Sequence, residues 1–249
     1  MLTQPLLDKL TQLRLPAFRA ALEEQIHDPQ YADMPFEDRL GLLVDRECTH
    51  RDNNRLQRRL KAARLVLPAT IEDLDLSASR GLDRRLVLHL AQGEWIDQHL
   101  NILVLGPTGV GKTFLACALA HSACRYNFTV RYQRTSRLLH HVSLAHADGS
   151  YPKLLDTFAR TQLLVLDDWL RDPLTRSQSQ DLLEILDDRY GRSSTIVATQ
   201  VPVDEWHVRF PDPTISDAIL DRLVHNAYRL TLRGESRRKV DSPLTMPTT

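Results

Sequence analysis

Apolar residues recur at helical spacing through the first part of the chain: Leu6, Leu10 and Leu13, then Leu40, Leu43 and Val44, then Leu56, Leu60 and Leu65. Pro16, Pro29, Pro35 and Pro68 interrupt the pattern, because proline lacks the amide a helix interior needs and its ring clashes with the preceding turn. A small all-α domain of short helices is therefore predicted over residues 1–67. Residues 68–79 (PATIEDLDLSAS) are acidic with little periodicity and read as a linker, leading into a helix from about Arg80 to Gly93.

After Asn101 the pattern changes. Short β-rich apolar runs at 102–105, 130–133, 163–166, 195–199 and 228–232 alternate with helical stretches that begin near Lys112, Ser136, Tyr151, Ser177 and Thr214. Strands buried on both faces and separated by helical crossovers indicate a parallel sheet covered by helices. An α/β domain with a parallel sheet flanked by helices is predicted over residues 80–240. The tail at 241–249, with two prolines and three threonines, is expected to be disordered.

Composition adds little to that division. Thirty-two basic and 32 acidic side chains leave no net field, so any affinity for nucleic acid must come from a local patch. Cys48, Cys117 and Cys124 have neither metal-ligand nor redox-motif spacing, which points to a reducing, cytoplasmic setting without a disulfide framework. No stretch approaches the roughly 18 apolar residues that span a bilayer, and a membrane role is not expected.

The most informative segment joins the run at 102–105 to the next helix: Gly106, Pro107, Thr108, Gly109, Val110, Gly111, Lys112 and Thr113 match G-x-x-x-x-G-K-[ST]. Glycines let backbone amides curl around phosphate oxygens, the helix N-terminus adds positive potential, Lys112 reaches the β and γ phosphates, and Thr113 ligates magnesium. ATP and Mg2+ are the expected ligands. The run at 163–166 ends in Asp167 and Asp168, the first placed to hold magnesium and the second to polarise the attacking water. The strand at 130–133 intervenes between the two motifs, which suggests the branch of P-loop ATPases with an additional strand. Gln200, at the end of the 195–199 strand, would emerge near the γ-phosphate if that strand lies beside the one bearing Asp167. Arg222, on the helix from Thr214, is either an arginine finger or a solvated helix residue.

Five segments then resemble AAA+ ATPases, specifically the IstB-type helper ATPases of bacterial insertion sequences, with DnaC-type helicase loaders as near relatives. They are LLDKLTQLRLPAFRAALEEQ, NILVLGPTGVGKTFLACALA, LLVLDDW, STIVATQVPVDEWH and DAILDRLVHNAYRLTLRGESRRK, spanning most of the chain from Leu6 to Lys239. The resemblance implies an ATP-hydrolysing partner of a transposase that forms a homo-oligomer on double-stranded DNA. It also implies that Arg222 enters a neighbouring subunit's site, that Gln200 occupies the first sensor position, and that Arg238 is a second, phosphate-sensing arginine. Leu170 stands where relatives often carry glycine, and Gln200 where many AAA+ proteins carry asparagine. Few residues follow Leu232, so no C-terminal helical lid is expected. A helicase loader and a small-molecule P-loop kinase are the alternative readings.

For DNA, the stretch from Arg46 to Arg64 is the most basic part of the helical domain, with Arg51, Arg55, Arg58 and Arg59 at three- and four-residue spacings. Such a face suits contact with duplex phosphates without sequence readout. Arg131, Arg134 and Arg137, around the end of the second strand, are further candidates for lining a channel in an oligomer.

Overall fold

The structure is a computed structural model and describes residues 3–236. Arg238 and the tail at 241–249 lie outside the described residues. The chain divides into two compact units, one up to Arg58 and the other from Arg59 onward. The division falls earlier than the boundary expected at residue 67.

The first unit is helical. Helix α1 (Thr3–Gln12) buries Leu7 and Leu10, α2 (Pro16–His27) buries Ala21 and Gln25, and α3 (Phe36–Ala63) buries Leu43 and Glu47. Pro16 opens α2 at its first position, where a missing amide costs nothing. Short helices were expected throughout, but α3 runs unbroken for 28 residues, since no proline lies between Pro35 and Pro68. Its buried carboxylate, Glu47, accepts from the amides of Ala17 and Phe18 at 3.0 Å each. It thereby satisfies α2 donors that have no partner within their own helix.

The second unit opens with α4 (Arg84–Leu90) and α5 (Glu94–Asp97), in place of the single helix expected from Arg80 to Gly93. Asp83 accepts from the amides of Arg85 and Leu86 and so fixes the start of α4. Gly93, at a φ of 85°, separates the two helices. There follow β1 (Asn101–Leu105), α6 (Lys112–Arg125), β2 (Val130–Arg134), α7 (Thr135–Asp148), α8 (Tyr151–Ala159), β3 (Leu163–Asp167), α9 (Arg176–Arg189), β4 (Ser194–Thr199), α10 (Pro213–Val224) and β5 (Ala227–Thr231). A capping box of Thr175 and Gln178 starts α9.

All five strands are parallel, in the order β2-β3-β4-β1-β5. Strand β4 thus lies between β1 and β3, whereas β2, the strand that intervenes in sequence, sits at the edge. Leu103, Leu164, Leu166 and Val197 project to one face, into a core shared with α7 to α10 and closed by Trp169 and Trp206. The opposite face is covered by α6, whose Leu115, Ala116, Cys117, Ala118 and Leu119 are buried. No C-terminal lid helix follows β5 among the described residues. Within the same residues, no helix is long and apolar enough to cross a membrane.

Arg189 secures the far end of the sheet. It is 1 % exposed and donates to the carbonyls of Phe158, Thr161 and Ser194. Burial pushes its pKa down to about 9, so it remains a cation at neutral pH.

Candidate functional site

The strand order brings the C-terminal ends of β1, β3 and β4 together, the place where open α/β sheets take their ligands. The loop at residues 106–113 leaves β1 there. Gly106, Gly109 and Gly111 have φ of 147°, 85° and 102°, a region that side chains with a Cβ rarely enter. Gly111 is the N-cap of α6, so Lys112 and Thr113 form the first helical turn. The Lys112 ammonium donates to the Pro107 carbonyl at 2.8 Å, which folds the side chain back onto the loop.

Opposite the loop, Asp167 is 2 % exposed. Its Oδ2 accepts from Thr113 Oγ1 at 2.8 Å and from the Tyr132 hydroxyl at 2.6 Å, and its Oδ1 from the Asp168 amide at 2.9 Å. Thr135 Oγ1 donates to the Asp167 main-chain carbonyl at 3.1 Å. Burial, and then the hydrogen bond to Asp167, raise the pKa of Tyr132 well above the usual phenol range. The Thr113 hydroxyl and the Asp167 carboxylate are adjacent hard oxygen donors, a set that suits magnesium.

Asp168 is half-buried with a φ of 54°, and Leu170 follows at 51°. Leucine at this position adopts the left-handed backbone that glycine prefers. Its side chain is 1 % exposed in the core, and that packing offsets a conformational cost of about 1–2 kcal/mol. Arg134 Nε lies 3.9 Å from Asp168 Oδ2, and its pKa is raised, first by the Tyr132 oxygen beside it. Gln200 leaves β4 between the two motifs and accepts a hydrogen bond from Thr108 of the loop.

A cavity of about 620 Å³ joins these groups, within the range of small-ligand sites. Lys112, Thr113, Asp168 and Gln200 line it, with Leu67, Asp73, Leu74, Asp75, Arg80 and Leu82 across from them. Residues 68–79 are therefore more than a connector, since part of that segment walls the cavity. Arg80, buried, donates to the carbonyl of Val110.

The other candidate residues are placed elsewhere. Arg222 does not reach this chain's own loop: it pairs with Asp187, lies over the Tyr190 ring at 5.8 Å, and its carbonyl accepts from Asn101, the first residue of β1. Arg51 donates to Glu47 at 2.8 Å, Arg55 to Asp52 at 3.2 Å, and Arg58 to the Asn54 carbonyl at 3.2 Å. All three line one depression with Arg14. Arg59, four residues from Arg55 and so about 40° round the helix from it, donates to the Cys124 carbonyl within the second unit. Arg131 and Arg134 were grouped together, and strand alternation sets them on different faces. Arg131, paired in register with Leu164, packs over the Phe158 ring at 5.9 Å, and burial lowers its pKa. Arg137 is exposed on α7. Tyr132 and Arg80 were missed. Tyr132 read only as part of an apolar run, and nothing short of the β2–β3 register could have put it beside Asp167.

Comparison with known proteins matches residues 8–244 to the family described as IstB-like ATP binding protein. A protein of Sinorhizobium fredii, y4pL, named for ATP binding in an insertion sequence, is 48% identical over 96% of this chain and 98% of its own length. A similarly named Mycobacterium tuberculosis protein, Rv3427c, is 30% identical over 94% of each chain. Among solved structures, DnaI superposes with a TM-score of 0.58 at 19% identity, over 67% of this chain and 92% of its own. The DnaC helicase loader superposes with a TM-score of 0.54 at 19% identity, over 71% and 99%. These two likenesses show that the parallel sheet with its flanking helices has the fold of those proteins.

Proposed function

The chain belongs to the IstB-like ATP-binding protein family, and from that premise we propose that it is a magnesium-dependent ATPase that assembles as a homo-oligomer on duplex DNA and assists a transposase in the cytoplasm. The observation that carries the catalytic part is the junction of Thr113, Asp167 and Asp168 across the ends of β1 and β3, with β4 and Gln200 between. The separation of the two motif-bearing strands by β4 favours this reading over a small-molecule kinase.

In this reading the loop amides and Lys112 would bind the phosphates. Thr113 and Asp167 would hold the cation, which supplies charge neutralisation at the transferring phosphoryl group. Asp168, half-exposed and aimed into the cavity, orients and polarises the attacking water. Gln200, already bonded to the loop through Thr108, is placed to register the γ-phosphate. Arg222, at the far end of β1 from this loop, serves a neighbouring subunit. Partnership with a transposase rests on the insertion-sequence relatives, and duplex binding on the arginines of α3.

The deciding experiment measures ATP binding and turnover in Asp168→Asn. The expected outcome is near-parental affinity with turnover reduced about 10²–10⁴-fold. Parental turnover in that variant would remove Asp168 from the mechanism. Absence of turnover in the parent would leave a nucleotide-binding scaffold.

A further inference from the structure

Tyr132 lies on edge strand β2, two residues before its end, and is 7 % exposed. Its hydroxyl donates to Oδ2 of Asp167 at 2.6 Å, a short contact of the kind made to a charged acceptor. Thr113 donates to the same oxygen at 2.8 Å. The two donors differ in what else they do. Thr113 belongs to the phosphate loop and is shared with the cation that the loop is to hold, whereas Tyr132 comes from a different element, strand β2. The β2–β3 register explains its reach: Tyr132 stands opposite Val165 and Arg134 opposite Asp167, so the phenol shares a sheet face with the Asp167 side chain and extends one side-chain repeat along it.

We propose that Tyr132 is a positioning residue for Asp167, holding its carboxylate in one orientation and thereby setting the affinity for the magnesium of the nucleotide complex. Without the hydroxyl, Oδ2 keeps only the donor it must share, and the carboxylate is anchored apart from the loop by the Asp168 amide on Oδ1 alone. Removing such an outer partner of a metal ligand typically weakens metal affinity about 10- to 100-fold. The inference rests on the reading of this cavity as an ATP and magnesium site, and not on DNA or a transposase.

The test uses the full chain, with Tyr132→Phe compared against Thr135→Val. The second variant removes the hydroxyl that holds only the Asp167 main-chain carbonyl, and so reports general loosening of the strand end. Binding of a fluorescent, non-hydrolysable ATP analogue is measured in EDTA and then across a magnesium titration. Metal-free binding is expected to be unchanged in both variants. Half-saturating magnesium is expected to rise about tenfold or more in Tyr132→Phe, and to stay at the parental value in Thr135→Val. An unshifted titration in Tyr132→Phe overturns the proposal, as does an equal shift in Thr135→Val. Phenylalanine keeps the ring in place; a chain that nonetheless failed to fold would make the hydroxyl a requirement of the fold and would also overturn it. A parent whose nucleotide affinity ignores magnesium overturns the cavity reading itself, which separates the two failures.

Discussion

Gly106 shows at the scale of one residue how little freedom the phosphate loop has. Its φ is 147°, and an added Cβ would come within 2.6 Å of the Leu232 carbonyl oxygen. Gly106→Ala is therefore expected to cost about 2 kcal/mol or more in stability, from backbone strain alone. It should also weaken nucleotide binding by an order of magnitude, both read by denaturant unfolding with and without ATP. Near-parental behaviour would show that the loop can rearrange. The chemistry of this loop was legible because each residue type has a local reason to be there, and the same holds for Asp167 at the end of its apolar run. Tyr132 and Arg80 were not legible, because their roles depend on which strand or segment lies beside them. Leu170 shows a third case, in which core packing imposes a glycine-like backbone on a residue whose identity argues against it.

Helix α3 and strand β2 carry the lesson at the scale of elements. The uninterrupted pattern between Pro35 and Pro68 produced one long helix, and its basic stretch divides by what each side chain meets: Arg51, Arg55 and Arg58 line one depression while Arg59 donates to the Cys124 carbonyl. If the depression binds duplex phosphates, replacing these three by alanine should lower affinity and reduce the salt slope by about 0.9 for each phosphate no longer neutralised. Gel shifts on duplex and single-stranded DNA at several salt concentrations would measure this. Arg51 carries a second expectation, since it donates to the buried Glu47, so its alanine variant should also lose stability. A salt slope unchanged in the triple variant, or a preference for single strands, would move DNA binding elsewhere. On β2 the period-2 alternation parts Arg131 from Arg134, a separation implicit in the sequence once the strand and its register are known.

For the molecule as a whole, the question is whether the proposed site is completed by Arg222 of another copy. Arg222 pairs with Asp187 and sits at the end of the sheet remote from the loop. If it completes a neighbour's site, Arg222→Ala and Asp168→Asn chains should each be inactive alone, with turnover reduced about 10³-fold or more for the arginine. Mixing them should restore part of the activity, because one pairing joins an intact Asp168 to an intact Arg222. A mixture that stays inactive would rule out action in trans, and parental turnover in Arg222→Ala alone would place Arg222 outside the reaction. The sequence by itself determined the helical first part, the parallel α/β sheet and the motif residues, because periodicity and phosphate-loop geometry are local properties of the chain. Only the tertiary structure decided that β4 lies between the two motifs, that residues 73–75 wall the cavity, and that the Tyr132 hydroxyl meets Asp167. Those depend on strand order and register, which are set by how whole faces bury against one another and leave no mark at any single position.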